Sequence, residues 1–173
     1  MKKKKATKKD KEFIFRIILD LNSPMMGYGK INSKIRQSKE AVERKIAMLS
    51  NQTLYNFAES IISMLDFSLD HCFGFYSNFD ERSIYDSKEI YELFTDLDDV
   101  EHTLNAKGVK KVKIFQAFEQ VGKKMLFYFD YGDSWYFIVE LKDIKTPDSK
   151  KTYPYLLTSQ GKNPEQYPSF EDE

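Results

Sequence analysis

Hydrophobic and polar positions alternate first along EFIFRIILDL, residues 12–21. Phe13, Phe15, Ile17 and Leu19 fall on one side, and Ile14, Arg16, Ile18 and Asp20 on the other. A period of two with one wholly apolar side predicts a strand in a sheet covered on at least that face. Asn22-Ser23-Pro24 ends it, and residues 25–43 read as an irregular excursion with a short helix from Ser38. Residues 45–49 are a second, short strand. From Thr53 the period changes: Leu54, Phe57, Ala58, Ile61, Ile62 and Leu65 form one apolar stripe at helical spacing, with Thr53 as N-cap. HCFGFY, residues 71–76, predicts another strand. Ser87 caps a second predicted helix that places Ile90, Leu93, Phe94 and Leu97 on one face. A third covers 113–120 with Ile114, Phe115 and Phe118 inward and Gly122 beyond its end. The strongest β signal follows. KMLFYFD sets Met125, Phe127 and Phe129 against Leu126, Tyr128 and Asp130, and WYFIVEL sets Trp135, Phe137, Val139 and Leu141 against Tyr136, Ile138 and Glu140. The YGDS between them suits a four-residue hairpin loop. After Ile144 the chain is polar and proline-rich, and Tyr153, Tyr155 and Tyr167 are expected to pack back along the body.

This order predicts an α+β fold: a mixed, largely antiparallel sheet with helices packed on one face, in a single domain over 12–168. Charge adds two flanking segments. Residues 1–11 hold seven lysines and one aspartate, while the remainder carries 20 basic and 26 acidic residues. A like-charge block of that kind predicts a disordered basic arm, and residues 169–173 an acidic tail. The single cysteine, Cys72, excludes an internal disulfide and suits a reducing compartment. FIFRIIL is too short and too interrupted for a secretory signal, and no apolar run approaches membrane-spanning length. A soluble, cytoplasmic protein is expected.

Candidate chemistry centres on FDYGDSW, residues 129–135. Asp130 and Asp133 flank Gly132. In a tight turn both carboxylates would accept backbone N–H groups while Gly132 takes a positive φ. In a cleft they would form a carboxylate site, with His71 as a further member. Zinc is disfavoured, because His71 and Cys72 point to opposite sides of a strand and His102 is the only other histidine. GYGKIN at 27–32 and GKK at 122–124 lack the glycines and the hydroxyl residue of a phosphate loop, and Ser134 has no evident base. No cofactor and no metal are expected. Phe127, Phe129, Trp135 and Phe137 read as core, and Tyr128, Tyr131 and Tyr136 as groove-lining. The lysine arm could touch phosphates in a salt-sensitive, sequence-independent way.

YFDYGDSW also carries a family resemblance. Tyr128, Asp130, Tyr131, Gly132, Asp133 and Trp135 stand in a Tyr-x-Tyr-Asp-Phe-Gly-Asp-x-Trp pattern. Thr53-Leu54 opens a helix, Asp70-His71 follows it, and Gly161, Pro164 and Glu165 lie in GKNPEQYP. Over about residues 45–168 the chain resembles the plasmid ORF-3-like family, which includes the TnpR-type passenger proteins of insertion elements. Three features of that family are missing: a Pro-Pro-x-x-Trp-Arg-Arg segment from 21–45, a histidine where Phe137 stands, and cysteines near the terminal Pro-Glu. The resemblance implies an α+β fold and no established activity. The leading expectation is a non-enzymatic binding or interaction module with a protein or small-molecule partner, no membrane, and a site drawn from His71, Asp130, Tyr131, Asp133, Trp135 and Glu165. A DNA-associated accessory protein of mobile elements is the second reading, with Lys2, Lys3, Lys4, Lys5, Lys8 and Lys9 on nucleic acid. A carboxylate- or metal-dependent hydrolase centred on the hairpin is the third.

Overall fold

The structure, a computed structural model, describes residues 3–19, 41–98 and 101–167. The strands are β1 (Lys4–Lys5), β2 (Glu12–Leu19), β3 (Glu43–Leu49), β4 (Phe73–Tyr76), β5 (Ile90–Glu92), β6 (Lys107–Gly108), β7 (Lys124–Phe129), β8 (Trp135–Lys145), β9 (Thr152–Tyr153) and β10 (Tyr155–Gln160); the α-helices are α1 (Leu54–Ser63) and α2 (Ile114–Ala117). Eight strands form one sheet in the order β10-β3-β2-β8-β7-β4-β5-β6, and β1 pairs with β9 as a separate ribbon. Every pair in the large sheet is antiparallel except β5 with β6, so the sheet is mixed. The architecture is one strand-rich sheet with few helices.

The helix at Thr53 forms as its pattern predicts. Thr53 accepts the Asn56 backbone N–H, and Asn56 returns a side-chain acceptor to the Thr53 backbone N–H, which closes a capping box. The apolar stripe of α1 then packs on one sheet face. Phe57 lies 4.3 Å from Phe15 and 5.8 Å from Phe75, ring centre to ring centre. Phe118, just after α2, meets Phe15 at 4.9 Å on the same side. Alternation puts Phe13, Phe15, Ile17, Phe73, Phe75, Phe127, Trp135 and Phe137 into this layer, all buried.

Several expectations are corrected. Residues 87–97 are not a helix: Ile90–Glu92 is a strand beside β4, followed by a short 3-10 turn at Phe94–Asp96. Tyr91 and Glu92 are both buried, so both sides of the segment face protein, and cross-strand pairing overrides the helical spacing. The third helix shrinks to Ile114–Ala117, and Phe115 is half exposed. The described part of the basic arm is not disordered: Lys4 pairs with Tyr153 and Lys5 with Thr152. Asp10 accepts the backbone N–H and hydroxyl of Thr7 behind them. The proline-rich tail supplies an unforeseen edge strand, β10, along β3. Tyr128 and Tyr136 line no groove; they are buried and stacked at 4.4 Å. The expected helix from Ser38 falls largely outside the described residues.

Candidate functional site

Three segments far apart in the chain meet beyond one end of the sheet. The first is the connection from α1 to β4. Asp66, at φ 61°, ends the helix, and the Phe67 N–H returns to the Ile62 carbonyl at 3.1 Å. Phe67 then packs edge-on against Trp135 at 4.9 Å, which fixes Asp70 and His71 against the hairpin. Trp135, expected at the site, is therefore its buried anchor, with 1% exposure.

The second segment is the hairpin turn. Asp130 and Ser134 take left-handed φ values of 55° and 61°, and Gly132 does not, contrary to the expectation for that glycine. Aspartate tolerates this region because its short side chain bonds locally. Asp130 Oδ1 accepts the N–H groups of Gly132 at 3.0 Å and Asp133 at 3.2 Å. Its second oxygen, Oδ2, stands 3.4 Å from His71 Nδ1. The expectation that both carboxylates serve the turn holds for Asp130 alone; Asp133 accepts no hydrogen bond found among the described residues. Burial raises the Asp133 carboxyl pKa, the Asp130 charge adds to this, and His71 partly offsets it.

The third segment is 161–167. Gln166 closes a two-point amide contact on Ser68, donating to its carbonyl at 2.9 Å and accepting its N–H at 2.7 Å. The Tyr167 hydroxyl lies 3.0 Å from both Asp70 carboxylate oxygens and 3.1 Å from His71 Nδ1. Asn163 donates to Asp66 at 2.6 Å and accepts from the buried Arg44 guanidinium, which also donates to the Gly161 carbonyl at 3.1 Å.

His71 thus has Asp70, Asp130 and Tyr167 around one ring nitrogen, and nearly half of its side chain is exposed. Its pKa is raised, chiefly by the hydrogen bond to Asp70 and then, against some desolvation, by the charges of Asp130, Asp70 and Asp133. Desolvation works against the Asp70 carboxylate, but the hydrogen bonds from His71 and Tyr167 outweigh it and hold the group below its ordinary value. Burial and Asp70 push the Tyr167 phenol up to about 12. An exposed imidazole flanked by carboxylates makes a polar surface of net negative charge, suited to a cationic partner.

The structure places His71 beside Asp130 and near Asp133, with Tyr131 on the same turn. Glu165 is exposed on the docked segment and makes no hydrogen bond or ion pair with them among the described residues. The hydrolase arrangement loses its free carboxylate pair, because Asp130 spends one oxygen on the turn and one on His71. No group of three or more His, Cys, Asp or Glu residues among the described residues is placed to hold a metal ion. Lys3, Lys4, Lys5, Lys8 and Lys9 are exposed elsewhere, and Lys2 lies outside the described residues. Asp70, Gln166, Tyr167 and Arg44 were not among the expected site residues. Asp70, beside His71, and Gln166-Tyr167, beside Pro164-Glu165, stood in quoted motifs; nothing local marked Arg44.

These contacts give the shared motifs a common place: Asp70-His71, the hairpin and the Gly161–Tyr167 segment form one surface. The sequence profile of the plasmid pRiA4b ORF-3-like proteins matches residues 29–167. The chain belongs to this family. No curated protein sequence matches it. Its fold is similar to that of a protein of unknown function, MM3350, from Methanosarcina mazei Go1, seen in a crystal structure. The TM-score is 0.61 at 17% identity, over 87% of this chain and 70% of that one. No helix among the described residues is long and apolar enough to cross a membrane.

Proposed function

We propose that the protein is a binding module whose partner docks on the surface formed by residues 66–71, 130–133 and 161–167, and that this partner presents lysine or arginine side chains. The observation that carries this reading is the interlocked set of hydrogen bonds at His71 and Asp70, which fixes an exposed, acidic surface before any partner arrives. Holding polar groups in place lowers the ordering cost of association. The test is a titration with a hexalysine peptide at low ionic strength, followed by NMR of the His71 and Asp133 signals. Saturable shifts confined to the three segments, weakened by salt and by Asp70→Asn with Asp133→Asn, are expected. Shifts spread over the molecule, or unaffected by the double variant, would refute the docking surface.

A second reading, a DNA-associated accessory role of the kind the TnpR-type relation and mobile elements imply, is favoured by one structural fact. The β1–β9 pairing sets the exposed Lys4 and Lys5 opposite Tyr153 and Thr152, next in sequence to the exposed Lys150 and Lys151, so lysines of two segments are carried on one ribbon. Duplex DNA binding by such a ribbon should lose about 0.9 from the slope of log affinity against log salt for each phosphate contact removed. Lys3→Gln, Lys4→Gln and Lys5→Gln together should flatten that slope, and an unchanged slope would count against it. Cytoplasmic residence accompanies both readings and agrees with Cys72 as a free thiol.

A further inference from the structure

On the sheet face away from α1, a carboxylate lies buried among phenol rings. Glu92 on β5 is 1% exposed. Its Oε1 accepts the Tyr76 hydroxyl at 2.6 Å, and its Oε2 has no hydrogen-bond partner among the described residues. Register explains the enclosure. Glu92 stands opposite Gly74, which in turn stands opposite Tyr128. A Cβ on Gly74 would lie 2.7 Å from the Tyr76 hydroxyl oxygen, so the glycine is what lets the Tyr76 ring cross the strand toward Glu92. Tyr131 folds over the group from the hairpin turn, with its hydroxyl 3.1 Å from that of Tyr76 and its ring stacked on Phe94 at 5.5 Å. Tyr85 closes the side, edge-on to Tyr76 at 5.9 Å. Both Tyr131 and Tyr85 stand near enough to Glu92 to feel its charge.

A buried carboxylate oxygen with no donor is strongly unfavourable unless a proton or a cation satisfies it. A proton on Oε2 becomes a donor in turn and needs an acceptor of its own. A cation meets the surroundings better, because ring faces attract positive charge and need no hydrogen bonds from it. One unpaired oxygen calls for one N–H, and the rings call for a greasy cation. We propose that Glu92 and the rings of Tyr76, Tyr85 and Tyr131 form a binding site for an alkylated ammonium group, entered by displacement of Tyr131. The hinges for that movement are on the turn. Asp130 and Ser134 flank it, both in left-handed conformations that non-glycine residues rarely hold. Tyr131 itself is tied down by the Tyr76 hydroxyl, the Phe94 stack, an edge-on contact with the Tyr128 ring at 4.6 Å, and one bond from the Tyr128 hydroxyl to its carbonyl at 3.2 Å. The site shares Tyr131 and its turn with the acidic docking surface, but Glu92, Tyr76 and Tyr85 lie outside that surface, and binding at Glu92 does not depend on it.

The experiment titrates the intact protein with trimethylammonium chloride and, separately, with tert-butanol, a neutral body of the same size. The readouts are the side-chain carboxyl carbon of Glu92 and the tyrosine ring signals. Trimethylammonium is expected to bind saturably and at least about tenfold tighter than tert-butanol, since desolvated cation–ring contacts reach that scale. Glu92→Gln is expected to remove the preference. Tyr131→Ala opens the entrance and removes one ring, so it should speed exchange and weaken the preference without abolishing it. Equal response to the two probes, or no saturable change at Glu92 in either the wild type or Tyr131→Ala, overturns the site.

Discussion

Asp130 does two jobs with two oxygens, and its substitutions should separate them. At φ 55° with Oδ1 on the Gly132 and Asp133 amides, it holds the turn; with Oδ2 it faces His71. Asn tolerates the same backbone and keeps an acceptor, whereas Ala does neither. Urea melts should show Asp130→Ala losing roughly 1.5–3 kcal/mol, the scale of hydrogen bonds to a charged acceptor, and Asp130→Asn clearly less. Equal midpoints would mean that the side chain does not hold the turn. The glycines sort by the same logic. Gly161 has φ 73°, and a Cβ there would sit 2.7 Å from the Ala41 carbonyl, while at Gly132 the nearest contact is 3.3 Å to Asp130 Oδ1. Gly161→Ala should therefore cost on the order of 1–3 kcal/mol more than Gly132→Ala in the same melts; parity would sink the close-approach argument. His71 adds a pH signature. Its folded pKa is raised, so its contribution is fully present below the unfolded histidine value of about 6.5 and is lost as pH rises through the folded one. Asp70 runs the other way, with its contribution lost only as pH falls through a carboxyl value held below the ordinary range. Because both side chains are over two-fifths exposed, roughly 0.2–1 kcal/mol is the most to expect. Thermal melts across the histidine range should show a slope that His71→Gln flattens, and an identical slope in the variant would remove His71 from the account.

Elements differ in how much of their cause is local, and that decides what could be read from the sequence. The α1 helix and the β7–β8 hairpin carry their own signals: a capping threonine before a helical stripe, and strict alternation on either side of YGDS. The β5 strand does not. Ile90, Leu93, Phe94 and Leu97 keep helical spacing, and it is pairing with β4 on one side and β6 on the other that makes Ile90–Glu92 extended. Nor does β10, whose YLLTSQ is mostly exposed and owes its place to β3 and to Arg44. The candidate site divides likewise. The turn chemistry of Asp130 was legible in FDYGDSW, but its meeting with His71, and the Tyr167 bond to Asp70, depend on contacts across most of the chain. Arg44 is the test of such a remote cause. It is 4% exposed and donates to the carbonyls of Glu43 at 2.7 Å and Gly161 at 3.1 Å, to that of Gln160, and to Asn163. A lysine cannot reproduce that fork. Hydrogen exchange should show β10 amides losing protection in Arg44→Lys by at least about 1.5 kcal/mol, with α1 amides unchanged. Wild-type protection of β10 in the lysine variant would show that strand pairing alone holds the tail.

At the scale of the whole molecule, the two chain ends close over a second, smaller core. Ile14, Ala47, Leu49 and Tyr153 are buried there, with Ala6 and Tyr155 packed against them. Glu12, also buried, accepts the hydroxyls of Tyr153 and, at 3.2 Å, Tyr155. A lysine-rich arm of this kind would be dispensable if it were a solvated tail, because charge without apolar burial cannot offset ordering entropy. Here the lysines are carried by a backbone that pairs, and the burial lies beneath them. Two variants separate these contributions. A chain beginning at Lys11 removes β1 and Ala6 and uncovers Tyr153, so its melting temperature should fall, by about 2–4 °C for each kcal/mol of lost burial in a protein of this size. Lys3→Gln, Lys4→Gln and Lys5→Gln together keep the backbone pairing and remove repulsion among like charges at the cost of one exposed bond from Lys4 to Asn51, so that melting temperature should hold or rise. A truncated chain as stable as the full one would return the arm to a solvated tail. A glutamine variant that falls as far as the truncation would mean that the lysine charges, and not the strand they ride on, hold the two ends together.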